Sequence, residues 1–221
     1  MDASIADAAR EAGRDPSELT RIVVTKFHPA SLVRQLAEFG VRDVGENRHQ
    51  EASAKAAELA ELDLAWHFVG QLQSNKAKAV RRYARAVHSV DRASLASALG
   101  SPPQGSEMGA VEPLDVFLEV NLTGDPARGG VAPDALRPLA ERVLSTPGLV
   151  LRGVMAVAPL GEEPRRAFER VRVASESLRS LAPDAVAISA GMSGDFREAI
   201  LEGATHLRIG TAITGKRPTA G

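Results

Sequence analysis

Hydrophobic and polar positions along this chain follow two periods. Short apolar runs rich in Val, Ile and Leu occur at residues 22 to 24, 41 to 45, 64 to 69, 86 to 90, 114 to 120, 150 to 157, 185 to 189 and 206 to 209. β-Branched and aromatic side chains suit a buried pleated surface, so each run is expected as a strand. Between them, residues 32 to 39, 46 to 62, 76 to 83, 93 to 99, 134 to 144, 164 to 181 and 195 to 202 return apolar side chains at helical spacing. Ser31 and Asp91 stand where N-caps belong. A further amphipathic helix, residues 3 to 13, stops at Gly13. Strands alternating with helices are the pattern of parallel strands joined by right-handed crossovers. Eight such units in this length predict an α/β fold, a single (β/α)8 TIM barrel with an extra N-terminal helix. An open doubly wound sheet uses the same local pattern and stays open as a rival. No Gly-x-Gly-x-x-Gly follows the first strand, which weakens its dinucleotide-binding form.

Composition narrows the picture. At 221 residues and 44% hydrophobic, the chain suffices for one substantial core, and residues 1 to 221 are expected as one domain. The loop at residues 100 to 113, rich in Ser, Pro and Gly, interrupts the pattern without changing it. A net charge of -1 provides no global field toward nucleic acid or an anionic membrane. The basic face of Lys76, Lys78, Arg81 and Arg82 is therefore expected to be solvated. With no cysteine, thiolate chemistry and disulfides are excluded. No apolar run approaches the roughly 18 residues of a membrane span, so a soluble, cytoplasmic protein is expected.

Sites in either architecture gather at the C-terminal ends of strands, and the residues there are not a random set. Lys26 closes the first strand, where burial of its stem can expose a nucleophilic amine, although taken alone a lysine snorkelling to solvent is the commoner case. Glu46 and Asn47 close the second, His67 and Gly70 the third, His88 and Asp91 the fourth, Asn121 the fifth and Met155 the sixth. After the seventh, Ser189, Gly191, Ser193 and Gly194 offer hydroxyls and approachable amides, and Gly210 and Thr211 offer the same after the eighth. Phosphate sites in such barrels commonly use those two loops, while ordinary turn chemistry also accounts for them. Arg208 lies inside an apolar strand and faces either the barrel mouth or an outer helix. His67 and His88 read as satisfied core histidines without metal-ligand spacing. A lysine, a phosphate cup and polar groups between them suit pyridoxal 5'-phosphate, the amine taking the aldehyde and the cup the phosphate.

These residues resemble a known family. Val24-Thr25-Lys26, Gly45-Glu46-Asn47, Trp66-His67-Phe68-Val69-Gly70, Leu72-Gln73-Ser74-Asn75-Lys76, Gly153-Val154-Met155-Ala156, Gly191-Met192-Ser193 and Arg208-Ile209-Gly210-Thr211-Ala212-Ile213 are similar to the motifs of the YggS/PROSC-type pyridoxal phosphate homeostasis proteins. Their fold, of fold-type III, is like the N-terminal barrel of alanine racemase. The resemblance implies that Lys26 forms a Schiff base with the cofactor and that Ser189, Ser193, Gly210 and Thr211 surround its phosphate. It implies further that Arg208 approaches the pyridine nitrogen and that Asn47, Met155 and Met192 line the cofactor. Phe27-His28, Arg48-His49 and Thr214 depart from the commoner family pattern. The function implied is vitamin B6 homeostasis without catalysis, with apo pyridoxal phosphate enzymes as recipients and a monomer or weak homodimer as the assembly. An amino-acid racemase is the alternative. It would need a second base, and Tyr83, expected on an outer helix, is poorly placed for that, which leaves His67 or a base borrowed across a dimer.

Overall fold

All eight apolar runs form strands in the computed structural model, which describes residues 1–101, 112–125 and 127–215. They are β1 Thr20–Val24, β2 Asp43–Glu46, β3 Ala65–Phe68, β4 Ala84–Val90, β5 Leu114–Glu119, β6 Leu149–Met155, β7 Ala187–Ser189 and β8 His206–Ile209. Each pairs in parallel with the next, and β8 returns to β1 with Ile22 opposite Arg208, which closes the barrel. The open-sheet alternative is thereby excluded. Around it run α1 Asp2–Glu11, α2 Ala30–Glu38, α3 His49–Glu58, α4 Ala77–Val80, α5 Ala93–Gly100, α6 Leu136–Leu144, α7 Pro164–Arg179 and α8 Phe196–Leu201. A single turn, α9 Thr211–Thr214, follows β8. The extra helix α1 buries Ile5, Ala8 and Ala9 and packs against α8. No helix among the described residues is long and apolar enough to cross a membrane.

Period-two alternation divides each strand. Val23, Val44, Val87, Val116, Val154 and Leu207 face the helices, in the apolar layer between barrel and helices. The other positions face the barrel axis, where contacts join strands that are not neighbours: the His88 ring on β4 lies 6.2 Å from that of His206 on β8, and Phe117 on β5 lies 5.0 Å from His206. The interior is unusually polar for a barrel core, holding His67, His88, Ser189 and Arg208 at 6, 0, 0 and 5% exposure. Gly153 belongs to this close packing, since a Cβ there would meet the Ala187 carbonyl oxygen at 1.8 Å.

Several expectations are corrected. The segment 76 to 83 holds only one α turn, Ala77–Val80, preceded by a 3-10 turn at Ser74–Lys76. Arg81 is not on a solvated face: at 6% exposure, its guanidinium donates to the carbonyls of Leu99 and Gly148, tying α5 to the start of β6. Ser31 and Asp91 cap nothing, because the N-cap positions fall on Pro29 and Arg92, and Asp91 instead accepts from Arg92. Phe39, read as part of the buried face, is 87% exposed beyond the end of α2. The sixth strand stops at Met155 and the seventh begins at Ala187. Most of the loop at 100 to 113 lies outside the described residues.

One buried charge cluster fixes the turn after β1. Lys55 on α3 sits at 5% exposure on the same helix face as Ala52 and Leu59, and its ammonium reaches Glu46 Oε1 at 2.6 Å, Glu51 Oε1 at 2.8 Å and the Thr25 carbonyl at 2.9 Å. Thr25 Oγ1 donates to Glu46 Oε1 at 2.6 Å, and the Phe27 amide donates to Glu51 Oε1 at 2.5 Å. Phe27 takes a left-handed conformation, φ 69°, which costs a non-glycine residue on the order of 1 kcal/mol. Residues on both sides of Lys26 are therefore held, and the lysine between them is aimed by the backbone. Burial raises the Glu46 carboxyl, opposed by Lys55 and the Thr25 hydroxyl. Removing one member of a buried pair strands the other. Lys55→Met is expected to destabilise the protein by about 3 kcal/mol in urea denaturation, and adding Glu46→Gln should restore most of that loss.

Glu119, closing β5, is a half-buried carboxylate. Its Oε2 has no hydrogen-bond partner among the described residues. Burial and then Asp91 push it up to about 7 from an ordinary 4.5, with Arg208 opposing. Because the folded protein holds this proton more tightly than the unfolded chain, the associated stability is full below about pH 4.5 and drains away as pH rises to about 7. Between pH 5 and 8, Glu119→Gln is therefore expected to lose roughly 2 kcal/mol less stability than wild type, read by denaturant titration at both values.

Candidate functional site

A cavity of about 490 Å³ opens at the C-terminal ends of the strands. Lys26, Phe27 and His28 line it after β1, Asn47 after β2, Val69 after β3 and Val157 after β6. Met192, Ser193 and Gly194 come from the β7 loop, and Arg208, Gly210, Thr211, Thr214 and Gly215 from β8 and its turn. Of the residues expected at the site, Lys26, Asn47, Met192, Ser193, Arg208, Gly210 and Thr211 meet in this one space. Met155 and Ser189 are corrections. Met155 is 2% exposed and packs with Ala86 and Phe117 in the barrel interior, beneath the cavity. Ser189 is fully buried and is not among the lining residues, and its hydroxyl is committed to Arg208 at 2.7 Å and to His88 at 2.8 Å.

Arg208 faces inward, as one of the two readings of its strand position held. Its Nη1 donates to the Ser189 carbonyl and hydroxyl, both at 2.7 Å, and Nη2 to the Ala156 carbonyl at 2.8 Å. All three acceptors are uncharged. Burial pulls the guanidinium down to about 10, with Asp195 and Glu119 opposing from farther off, so it remains a cation at neutral pH. Three hydrogen bonds through two nitrogens leave it one orientation. The ends of β6, β7 and β8 thus present a fixed positive donor at the cavity floor.

The loops after β7 and β8 form one wall of the cavity and are locked together. The Ala212 amide reaches Ser193 Oγ at 3.4 Å, and Asp195 Oδ1 accepts from the Met192 amide at 2.6 Å, closing residues 192 to 195 into a tight turn. Gly191, at φ 92°, can only be glycine, since a Cβ would lie 2.7 Å from that of Ala199. Around Gly194 nothing stands within 4 Å of where a Cβ would be, so this wall is open toward the cavity. Ser193, Gly194, Gly210 and Thr211 form a rim of hydroxyls and small residues that suits an anionic oxygen cluster.

Sequence reading did not single out Val69, Val157 or Gly215 as lining residues, nor Lys55 as the support of the Lys26 turn. A signal for Lys55 was present: Ala52, Lys55 and Leu59 share one helix face, which places a lysine among buried positions with Glu51 one turn before it. His67, weighed as a racemase base, is absent from the cavity wall, and its ring nitrogens lie 2.9 Å from His88 and 3.0 Å from Asp43. Tyr83 stacks on His49 outside the cavity, and burial pushes its hydroxyl well above the ordinary range. No group of three or more His, Asp or Glu side chains among the described residues could hold a metal ion.

The family model of the alanine racemase N-terminal domain matches residues 10–218. The pyridoxal phosphate homeostasis protein of Pseudomonas aeruginosa is 45% identical over 219 residues, covering 97% of this chain and 92% of its own. PipY of Synechococcus elongatus, solved with PLP bound, superposes with a TM-score of 0.79 at 36% identity, over 96% of this chain and 100% of that one. An alanine racemase from Corynebacterium glutamicum, at 15% identity and a TM-score of 0.73, shares the fold, and this chain spans 62% of its length. The chain belongs to the family of the alanine racemase N-terminal domain, and within it to the group of pyridoxal phosphate homeostasis proteins.

Proposed function

We propose that this protein binds pyridoxal 5'-phosphate at the barrel mouth, with Lys26 as the covalent anchor, and serves vitamin B6 homeostasis by holding the cofactor and releasing it to apo-enzymes. The observation that carries this reading is the convergence, in one cavity, of an aimed lysine, a fixed guanidinium and a hydroxyl-glycine rim. The residues fit the group. The volume lies in the roughly 300 to 1,000 Å³ range of small-molecule sites, and the donor set matches an aldehyde, a ring nitrogen and a phosphate in turn. Pyridoxal phosphate would supply an electron sink for the carbon that bears an amine condensed with its aldehyde.

This chain's residues limit that chemistry. Arg208 has donors and no acceptor, so it holds the ring nitrogen as an unprotonated acceptor, which weakens the sink. Lys26 supplies the amine, and Ser193, Gly194, Gly210 and Thr211 take the phosphate. Asn47 and Met192 flank the ring. His28 is the histidine among the lining residues, and it keeps amino-acid racemisation as a second reading, since that reaction needs a base besides the lysine.

Mixing the purified protein with pyridoxal phosphate is expected to give a visible absorbance band that borohydride bleaches, and Lys26→Ala should abolish it. A wild-type protein that remains colourless would sink the reading. With L-alanine and a panel of other L-amino acids, the binder reading expects no loss of optical activity; turnover that disappears in His28→Ala would favour the racemase.

A further inference from the structure

Behind the cavity floor, a line of hydrogen bonds crosses the barrel interior to its opposite end. Arg208 Nη1 donates to Ser189 Oγ at 2.7 Å, and that oxygen lies 2.8 Å from His88 Nδ1. His88 Nε2 lies 2.9 Å from His67 Nδ1, and His67 Nε2 lies 3.0 Å from Asp43 Oδ1. The line runs through β8, β7, β4, β3 and β2, so it exists only because the barrel is closed. Asp43 opens β2 at the end remote from the cavity, with its side chain 34% exposed.

Donor and acceptor arithmetic gives this line a direction. Arginine can only donate and an ionised aspartate can only accept, so the two ends are fixed. If both histidines are neutral, one assignment satisfies every link: the Ser189 hydroxyl donates to His88 Nδ1, His88 Nε2–H to His67 Nδ1, and His67 Nε2–H to Asp43. The reverse assignment makes His88 Nδ1 a donor to Ser189. His67 would then have to donate from both nitrogens as an imidazolium, and the Ser189 hydrogen would have no acceptor among the bonds present. Burial, reinforced by the Arg208 guanidinium, holds His88 well below the ordinary histidine range, which agrees with the neutral assignment. His88 also lies flat on Phe117, ring centres 4.2 Å apart, so its ring cannot turn to trade nitrogens.

We infer that Asp43, His67 and His88 are positioning residues for Arg208: acting through the Ser189 hydroxyl, they lock the guanidinium against the cavity floor, so the ring-binding end of the pocket is set from the far end of the barrel. The inference rests on the pyridoxal phosphate reading for its consequence and on the interior geometry for its substance. It explains why an interior that could have been apolar carries two buried imidazoles in series. An isolated buried Arg208 would have a carbonyl pair and a freely rotating hydroxyl; with the line in place, that hydroxyl has one direction and both of its lone pairs are available to the guanidinium.

The test uses cofactor-free protein labelled with nitrogen-15 and reads histidine tautomers and the Arg208 side-chain resonances by nuclear magnetic resonance near pH 7. Both His67 and His88 are expected as Nε2–H tautomers, with Arg208 sharp. Asp43→Ala should mix the His67 tautomers, move the His88 Nδ1 resonance and broaden Arg208, and should weaken pyridoxal phosphate binding about fivefold by titration. Asp43→Asn, whose amide oxygen still accepts from His67, should retain the wild-type tautomers and most of the affinity. His206→Phe, which removes an interior imidazole outside the line, should leave the tautomers as they were. An Nδ1–H tautomer at His88, or Asp43→Ala spectra no different at His88 and Arg208 from those of Asp43→Asn, would overturn the inference. Since these spectra are taken without cofactor, they decide the matter even if pyridoxal phosphate is not taken up at all.

Discussion

A guanidinium inside a parallel barrel must be satisfied by whatever the strands offer it. Arg208 sits at 5% exposure with no carboxylate in contact among the described residues, and it is held by two carbonyls and one hydroxyl. An unpaired buried charge would be very costly, and this one is tolerable because every acceptor comes from the ends of β6 and β7, which closure brings beside β8. Much of the interior follows from it. Ser189 is committed to Arg208 and therefore lost to the cavity above, the histidines stack behind Ser189, and the cavity gains a floor that donates and cannot accept.

The Lys26 side of the cavity is built by different means. Among the described residues Lys26 has no such network of its own; its position comes from Thr25 and Phe27, pinned by Glu46, Glu51 and Lys55. A flexible side chain on a rigid turn suits a residue that must make and later break a covalent bond, whereas a guanidinium held at three points suits one that only orients. The division agrees with a protein that stores a cofactor and gives it up.

The barrel was legible because its signal is repetitive: eight apolar runs separated by helical periods leave few other topologies, and errors of two or three residues at the ends of β6, β7 and α4 did not alter the count. The site was legible in part, because strand ends converge in any such barrel. Lys26, Asn47, Ser193 and Arg208 could be named from position alone. Ser189 and Met155 could not be placed correctly, since whether a residue closing a strand points up into the mouth or down into the interior depends on one residue of register, and both belong to the inward set that ends below the cavity. The caps at Ser31 and Asp91 failed because the helix starts fall on Pro29 and Arg92, and the Asp91 carboxylate accepts from its neighbour Arg92. Arg81 read as a surface cation because a sequence shows its charge and not the carbonyls of Leu99 and Gly148 that enclose it.

The central claim is that one lysine of this chain is set apart from the others by where the fold aims it. Borohydride reduction of the protein mixed with equimolar pyridoxal phosphate, followed by proteolysis and mass mapping, tests that directly. The account predicts the added mass on the peptide carrying Lys26, with Lys55, Lys76 and Lys78 unmodified. Label spread over the exposed lysines, or absent from Lys26, would contradict it.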